Sequence, residues 1–235
     1  MTPLRRSEWA LLAFILIYSL GPTVGGLVRM FELTGGPAIL PPNPRALADP
    51  LPIMLHILTS LMFCIAGALQ FLPSIRRHNP ACHRINGHVV AIAGCVSAAT
   101  GLWMTHIYTF PTSLQGNLLY WVRMVLGSLM MGLIVWAVIA IRARDIFRHA
   151  ASMLRAYAIA QGASTQTMLG IIWIIFAGSE ATGPVRDVIM VSAWILNLAV
   201  AEILIRRLPK PAARPAGPAA ARWQRVVVND AKERA

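Results

Sequence analysis

Six apolar runs, each long enough to cross a bilayer, constrain this chain more than any other feature. They lie at about residues 8–29, 52–73, 86–107, 118–141, 153–178 and 185–205. A span needs about 20 mostly apolar residues to cross the hydrocarbon layer as a helix. Backbone N–H and C=O groups find no water there, so each run must satisfy them internally. The runs are too long and too uniformly apolar for barrel strands. Composition agrees, with 57% of the 235 residues hydrophobic and only 13% charged. That charged share is about half that of a soluble domain. The expected fold is all-α: a polytopic membrane helix bundle of about six transmembrane helices. Residues 1–206 are expected to form the transmembrane domain. Residues 207–235 read as a flexible, basic cytoplasmic tail, rich in Ala and Pro over Pro209–Pro218.

Charge orients the bundle. The formal net charge is +12, and the basic residues collect in alternate connections. One holds Arg76, Arg77, His78, His83 and Arg84; another holds Arg142, Arg144, Arg148, His149 and Arg155. The opposite connections are poor in positive charge. Residues 30–51 carry only Arg45, residues 107–119 carry no Lys or Arg, and Arg186 stands beside Glu180 and Asp187. The positive-inside rule then predicts both termini in the cytoplasm and an even number of spans. The same rule accounts for the basic balance without nucleic acid, so anionic lipid headgroups are the expected electrostatic partners. Arg5 and Arg6 before the first run resemble the start of a signal peptide, but no cleavage pattern follows, and the run is expected to stay as the first helix. Tyr108, Phe110, Tyr120 and Trp121 suit an interface, as does Trp9 at the other side. The three cysteines, Cys64, Cys82 and Cys95, form no CxxC pair. They read as buried small hydrophobes and one loop thiol.

Ionisable groups inside spans are the first candidates for function. His56 lies just over one turn into the second span. His88 and His106 bracket the third, 18 residues apart, which is five turns and therefore one face. Imidazoles on facing helices can hold haem iron. His56 with His106, and His88 with His78, His83 or His149, are the pairings the spacing allows. Haem b ligation by His56, His83, His88, His106 and His149 is one reading; ordinary interfacial histidine is the other. Gln161, Ser164, Thr165, Gln166 and Thr167 form a polar stretch in the fifth span, with Asn197 and Gln70 as available partners. Interhelical hydrogen bonding explains such a stretch, and a small ligand cavity is the alternative. Arg123 can snorkel, and Glu202 stands four residues before Arg206, as an i, i+4 pair.

Several fragments together resemble a known family. They are His56 early in a span, "GALQF" from Gly67, "HRINGH" from His83, and "HAASMLRAY" from His149. In that order they resemble the bacterial predicted membrane proteins grouped as domain of unknown function 2306, over about residues 50–170. The resemblance implies a multi-span fold in a bacterial cytoplasmic (inner) membrane, and an unassigned biochemical role. It points to His56, Gln70, His83, Arg84, Gly87, His149, Met153 and Arg155. The chain departs from the family at His88, often a basic residue there, at Ser152 and near Gln166. His83 with His149 therefore becomes the better inner pair. Beside Arg84 and Arg155, these imidazoles suit an anionic headgroup, a haem propionate or a quinone oxygen.

Three functions follow as expectations. The leading one is a small membrane protein, redox-active through histidine-bound haem b or quinone. Its cofactor-binding residues are His56, Gln70, His83, Arg84, His149 and Arg155. The second is a non-enzymatic accessory or assembly subunit of a larger membrane complex. The third is a small-solute permease using the polar stretch of the fifth span.

Overall fold

The structure, a computed structural model, describes residues 4–208. The expected basic tail beyond Leu208 lies outside the described residues. Ten helices follow one another, with no strand among the described residues: α1 (Arg6–Tyr18), α2 (Leu20–Leu33), α3 (Pro44–Ala48), α4 (Pro50–Gln70), α5 (Pro73–His78), α6 (Pro80–Ile107), α7 (Asn117–Arg142), α8 (Ile146–Ala160), α9 (Gly162–Ala177) and α10 (Gly183–Arg206). Five stretches are long and apolar enough to cross a membrane: α4, α6, α7, α8 with α9, and α10. The first apolar run passes the same test only as a bent pair, which is a broken sixth span or a re-entrant loop. α1 and α2 meet at 51°. Pro22 explains the bend: it has no N–H to donate, and its ring conflicts with the carbonyl four residues back, at Tyr18. The chain is therefore an all-α, multi-pass membrane protein.

Helix starts are set by caps rather than by hydropathy. The third span was expected from residue 86 and the fifth from residue 153; their helices begin at Pro80 and Ile146. Asn79 Oδ1 accepts from Cys82 N at 3.1 Å, and Pro80 takes the first turn. Asp145 Oδ1 accepts from Arg148 N at 2.9 Å. Each cap satisfies an N–H that the helix itself cannot and is worth about 1 kcal/mol. The correction moves two site residues. His83 and His149, expected in loops, stand in the first turns of α6 and α8.

The turn between α7 and α8 is equally specific. Arg144 N donates to Ile141 O and Asp145 N to Ala140 O, with Arg144 at φ 60°. This is the Schellman closure, in which a left-handed residue lets the last carbonyls find donors.

α4 packs most extensively on α6, α6 on α7, and α7 on α8. Phe63, Val90, Ile134, Ala156 and Tyr157 meet in the core between them. Large apolar side chains on the outside, such as Ile92, Val125, Ile175 and Phe176, are exposed, as lipid-facing positions must be. Following the chain, α1, the α4–α6 connection, the α7–α8 turn and the end of α10 share one end, here the basic end. α3 and residues 108–116 and 178–182 form the other, the loop end.

Candidate functional site

A cavity of about 480 Å³ opens between α2, α4, α6, α7 and α9. Its walls are apolar, with Ile53, Ile57 and Leu61 on one side and Leu102, Leu126 and Met130 on another. Three polar levels interrupt them.

The floor is where two helix breaks meet. Ser19 ends α1, and Gln161 lies between α8 and α9. Ser19 Oγ lies 3.1 Å from Gln161 Oε1 and 3.0 Å from its Nε2. Ser164 Oγ donates to Gln161 Oε1 at 2.8 Å, and Gln161 Nε2 donates to Tyr157 Oη at 3.1 Å. Beside them, Thr165 binds Tyr18 and donates to Asn197 Oδ1 at 2.7 Å. Gln161 and Thr165 thus hydrogen-bond helices together, while Ser164 and Gln166 also face the cavity. Gln70, an expected partner of this stretch, does not join it; Asn197 does.

At mid-height stands His56. Its Nδ1 lies 2.9 Å from Ser97 O and 3.2 Å from Thr100 Oγ1. A backbone carbonyl only accepts, so in the neutral ring Nδ1 carries the proton and Nε2 presents a lone pair. Gly101 lets the ring lie against α6: a Cβ there would stand 3.4 Å from His56 Cε1. His56 is half-buried because the cavity passes its ring.

The mouth, at the loop end, carries two guanidiniums. Arg45 Cζ lies 4.7 Å and Arg123 Cζ 5.6 Å from the centroid of Phe110. Arg123 Nη1 donates to Gln115 Oε1 at 2.5 Å. Arg45 Nε is buried without a hydrogen-bond partner. The ion pairs among the described residues are Arg29–Glu32, Arg148–Asp145 and Arg155–Glu202, so neither mouth arginine belongs to one. The nearby carboxylate of Asp187 is occupied elsewhere. It accepts from Gly116 N at 3.0 Å and Leu119 N at 3.2 Å, capping α7 from a different helix.

The residues expected to form one histidine site divide between the two ends. His56 lies in the cavity. His106 does not meet it; His106 is exposed and its Nδ1 lies 3.1 Å from Tyr120 Oη. His88 is exposed too, with Nδ1 2.7 Å from Arg84 O of its own helix. The shared face of His88 and His106 is real, but it is an outer face of the bundle. At the basic end, His83 is half-buried in the first turn of α6, and Arg76 is exposed on α5. His149 is anchored by Nδ1, 2.9 Å from Ala137 O. Gln70 lies against α6 beside Gly87. Arg84 is exposed. Arg155 is diverted: it binds Glu202 through two bonds of 2.5 and 2.9 Å, tying α8 to α10. That pairing replaces the expected Glu202–Arg206 contact, because the fold brings Arg155 alongside.

The sequence reading missed Arg45 and treated Arg123 as a snorkelling side chain. Arg45 stands 65 residues before Phe110, with α4, α5 and α6 between them, and Arg123 stands 13 residues after it, so no local pattern announces the pair. No group of three or more His, Cys, Asp or Glu side chains among the described residues is placed to hold a metal ion.

Comparison with known proteins matches residues 53–205 to one family model, described as a predicted membrane protein, DUF2306. The match spans α4 to α10 and so includes His56, Gln70, His83, Arg84, His149 and Arg155; it leaves out Arg45 and Ser19. No curated protein and no solved structure matches the chain.

Proposed function

We propose that this chain, which belongs to the DUF2306 family of predicted membrane proteins, binds a quinone-type amphiphile within its membrane domain. The observation that carries the reading is the apolar-walled cavity of about 480 Å³ with His56 in its wall and Arg45 and Arg123 at its mouth. Small-molecule sites are commonly 300–1,000 Å³, mostly apolar, with a few placed polar groups. A ring carbonyl accepts from the Arg123 guanidinium. A hydroxyl of the reduced ring donates to the Nε2 lone pair of His56. The apolar tail follows Ile57, Leu61 and Leu126 towards lipid.

The haem alternative is less well served. Among the described residues lining this cavity, His56 is the one imidazole, whereas bis-histidine haem takes two. A permease is the second reading. It is favoured by the bent first span and the Ser19–Gln161 contact at the cavity floor, since broken spans often border transport sites. The orientation belonging to either reading is both termini in the cytoplasm of a bacterial inner membrane, with the cavity mouth facing outward.

The test is a titration of the detergent-purified protein with a short-tailed benzoquinone, followed by tryptophan quenching. Saturable binding should weaken at least about tenfold in His56→Ala and in Arg123→Gln, roughly 1.4 kcal/mol per decade. Absence of saturable binding, or affinity unchanged from the parent in both variants, would end the quinone reading. Substrate uptake into proteoliposomes that depends on Gln166 would favour the permease instead.

A further inference from the structure

The basic end holds a second, separate set of polar groups with no assigned partner. Gln70 Nε2 and His83 Nδ1 are both buried and make no hydrogen bond. They arise at one place. Gln70 Oε1 lies 3.6 Å from where a Cβ at Gly87 would stand, and His83 is one turn before Gly87 on α6. An unmet buried donor costs about 1–3 kcal/mol, and native proteins keep few of them. Two unmet polar nitrogens near one turn of α6 suit one ligand that meets both.

The chemistry of that ligand follows from the groups around it. An amide nitrogen only donates, so the ligand must accept. His83 lies in the stretch that also carries Arg76, Arg77 and Arg84, so the surroundings are positive. Local carboxylates are already engaged. Glu8 accepts from Ser74 N at 2.7 Å, Ser74 Oγ at 2.5 Å and Arg5 N at 2.9 Å. Asp145 pairs with Arg148, and Glu202 with Arg155. Arg76, Arg77 and Arg84 make no ion pair among the described residues. On the apolar side the site is closed by Tyr157, whose ring stands 4.9 Å from Phe71 edge-on and whose hydroxyl donates to Cys64 O at 2.7 Å. The groups lie where α4 ends and α6 begins, at the basic end of the bundle.

We propose that Gln70, His83 and Arg76 form a phosphate-binding site that holds the headgroup of an anionic phospholipid at the basic end of the bundle. The amide and imidazole N–H groups and the guanidinium donate to the phosphate oxygens. Phosphate chemistry is shared by a lipid and by free phosphate, and the exposed apolar side chains of Ile85 and Val89 on the same part of α6 favour the lipid. The proposal is independent of the cavity ligand.

The experiment uses the full chain in detergent, delipidated, and titrated with dioctanoyl phosphatidylglycerol, dioctanoyl phosphatidylcholine or inorganic phosphate. Binding is read by thermal unfolding and by native mass spectrometry. Phosphatidylglycerol should bind saturably and raise Tm, at least tenfold more tightly than phosphatidylcholine. Arg76→Gln, Gln70→Leu and Gln70→Glu should each weaken it at least tenfold, whereas Arg148→Gln, on the exposed face of α8, should not. Without lipid, Gln70→Leu should be no less stable than the parent, since it removes an unmet donor. Should Gln70→Leu fail to fold, the isosteric Gln70→Glu, which sets a negative charge against the phosphate, carries the test. Equal binding of the two lipids, or unchanged affinity in the Arg76 and Gln70 variants, overturns the proposal. Tighter binding of inorganic phosphate than of phosphatidylglycerol overturns the lipid assignment.

Discussion

The two ends of α4 face different worlds although the helix is apolar throughout. His56 and Gln70 are 14 residues apart, about 21 Å along the axis. Around His56 the bundle is open, and the cavity runs to the mouth arginines. Towards Gln70 it is closed: Phe63 is fully buried, and Tyr157 is 7% exposed. The difference lies in what occupies the space beside small residues. A Cβ at Gly94 would meet Phe63 at 2.5 Å, and one at Gly67 would meet Tyr157 at 2.8 Å, so aromatic rings fill those places. Beside Gly101 the neighbour is the His56 ring at 3.4 Å, which fills less. In lipid, where helices gain little from leaving the solvent, such packing supplies much of the association. Stability should therefore reside in the closed half and ligand capacity in the open half.

The largest expected effect breaks the closed half. Phe63→Ala should destabilise by about 3–5 kcal/mol, the usual range for a buried aromatic; reversible unfolding in mixed micelles measures it. A loss below about 1 kcal/mol would mean that Phe63 does not anchor the core. Next comes the cap at the loop end. Asp187→Ala strips Gly116 N and Leu119 N of their acceptor and should cost about 2 kcal/mol, with faster hydrogen exchange in the first turn of α7. Unchanged exchange there would show that water replaces the carboxylate.

Smaller effects sharpen the comparison. Leu126→Ala, in the cavity wall, should cost only about 1 kcal/mol, because a residue facing a void has fewer contacts to lose. Leu126→Trp should instead abolish quinone binding with little change in Tm. If Leu126→Ala costs as much as Phe63→Ala, the open and closed halves are not energetically distinct. The smallest effect is favourable. Arg144→Gly relieves a left-handed backbone at φ 60° and should gain about 1 kcal/mol, visible as a modest rise in Tm.

Much of the fold was legible in the sequence, because a bilayer requires long apolar helices and each run declares itself. The helix starts at Pro80 and Ile146 were also written there, in Asn79–Pro80 and Asp145, but hydropathy hid them by placing the boundaries where the apolar residues begin. The site was legible only in pieces. His56 and the polar stretch from Gln161 were visible as costly residues in spans. Their separation into a cavity wall and a helix-joining network was not. Five-turn spacing put His88 and His106 on one face, but spacing along one helix cannot say whether that face looks inward; here both rings are exposed.

By itself the sequence determined the course of five spans, the basic character of one end, and membership of a family whose model matches residues 53–205. These depend on length, hydropathy and charge, which act locally along the chain. Tertiary structure alone decided the rest. It set Arg45 and Arg123 about one phenylalanine, gave Asp187 to the N-terminus of another helix, sent Arg155 to Glu202, and left Gln70 and His83 without partners. Each is a contact between distant segments, fixed by how helices rotate and cross, and those angles depend on the packing of side chains from several helices at once.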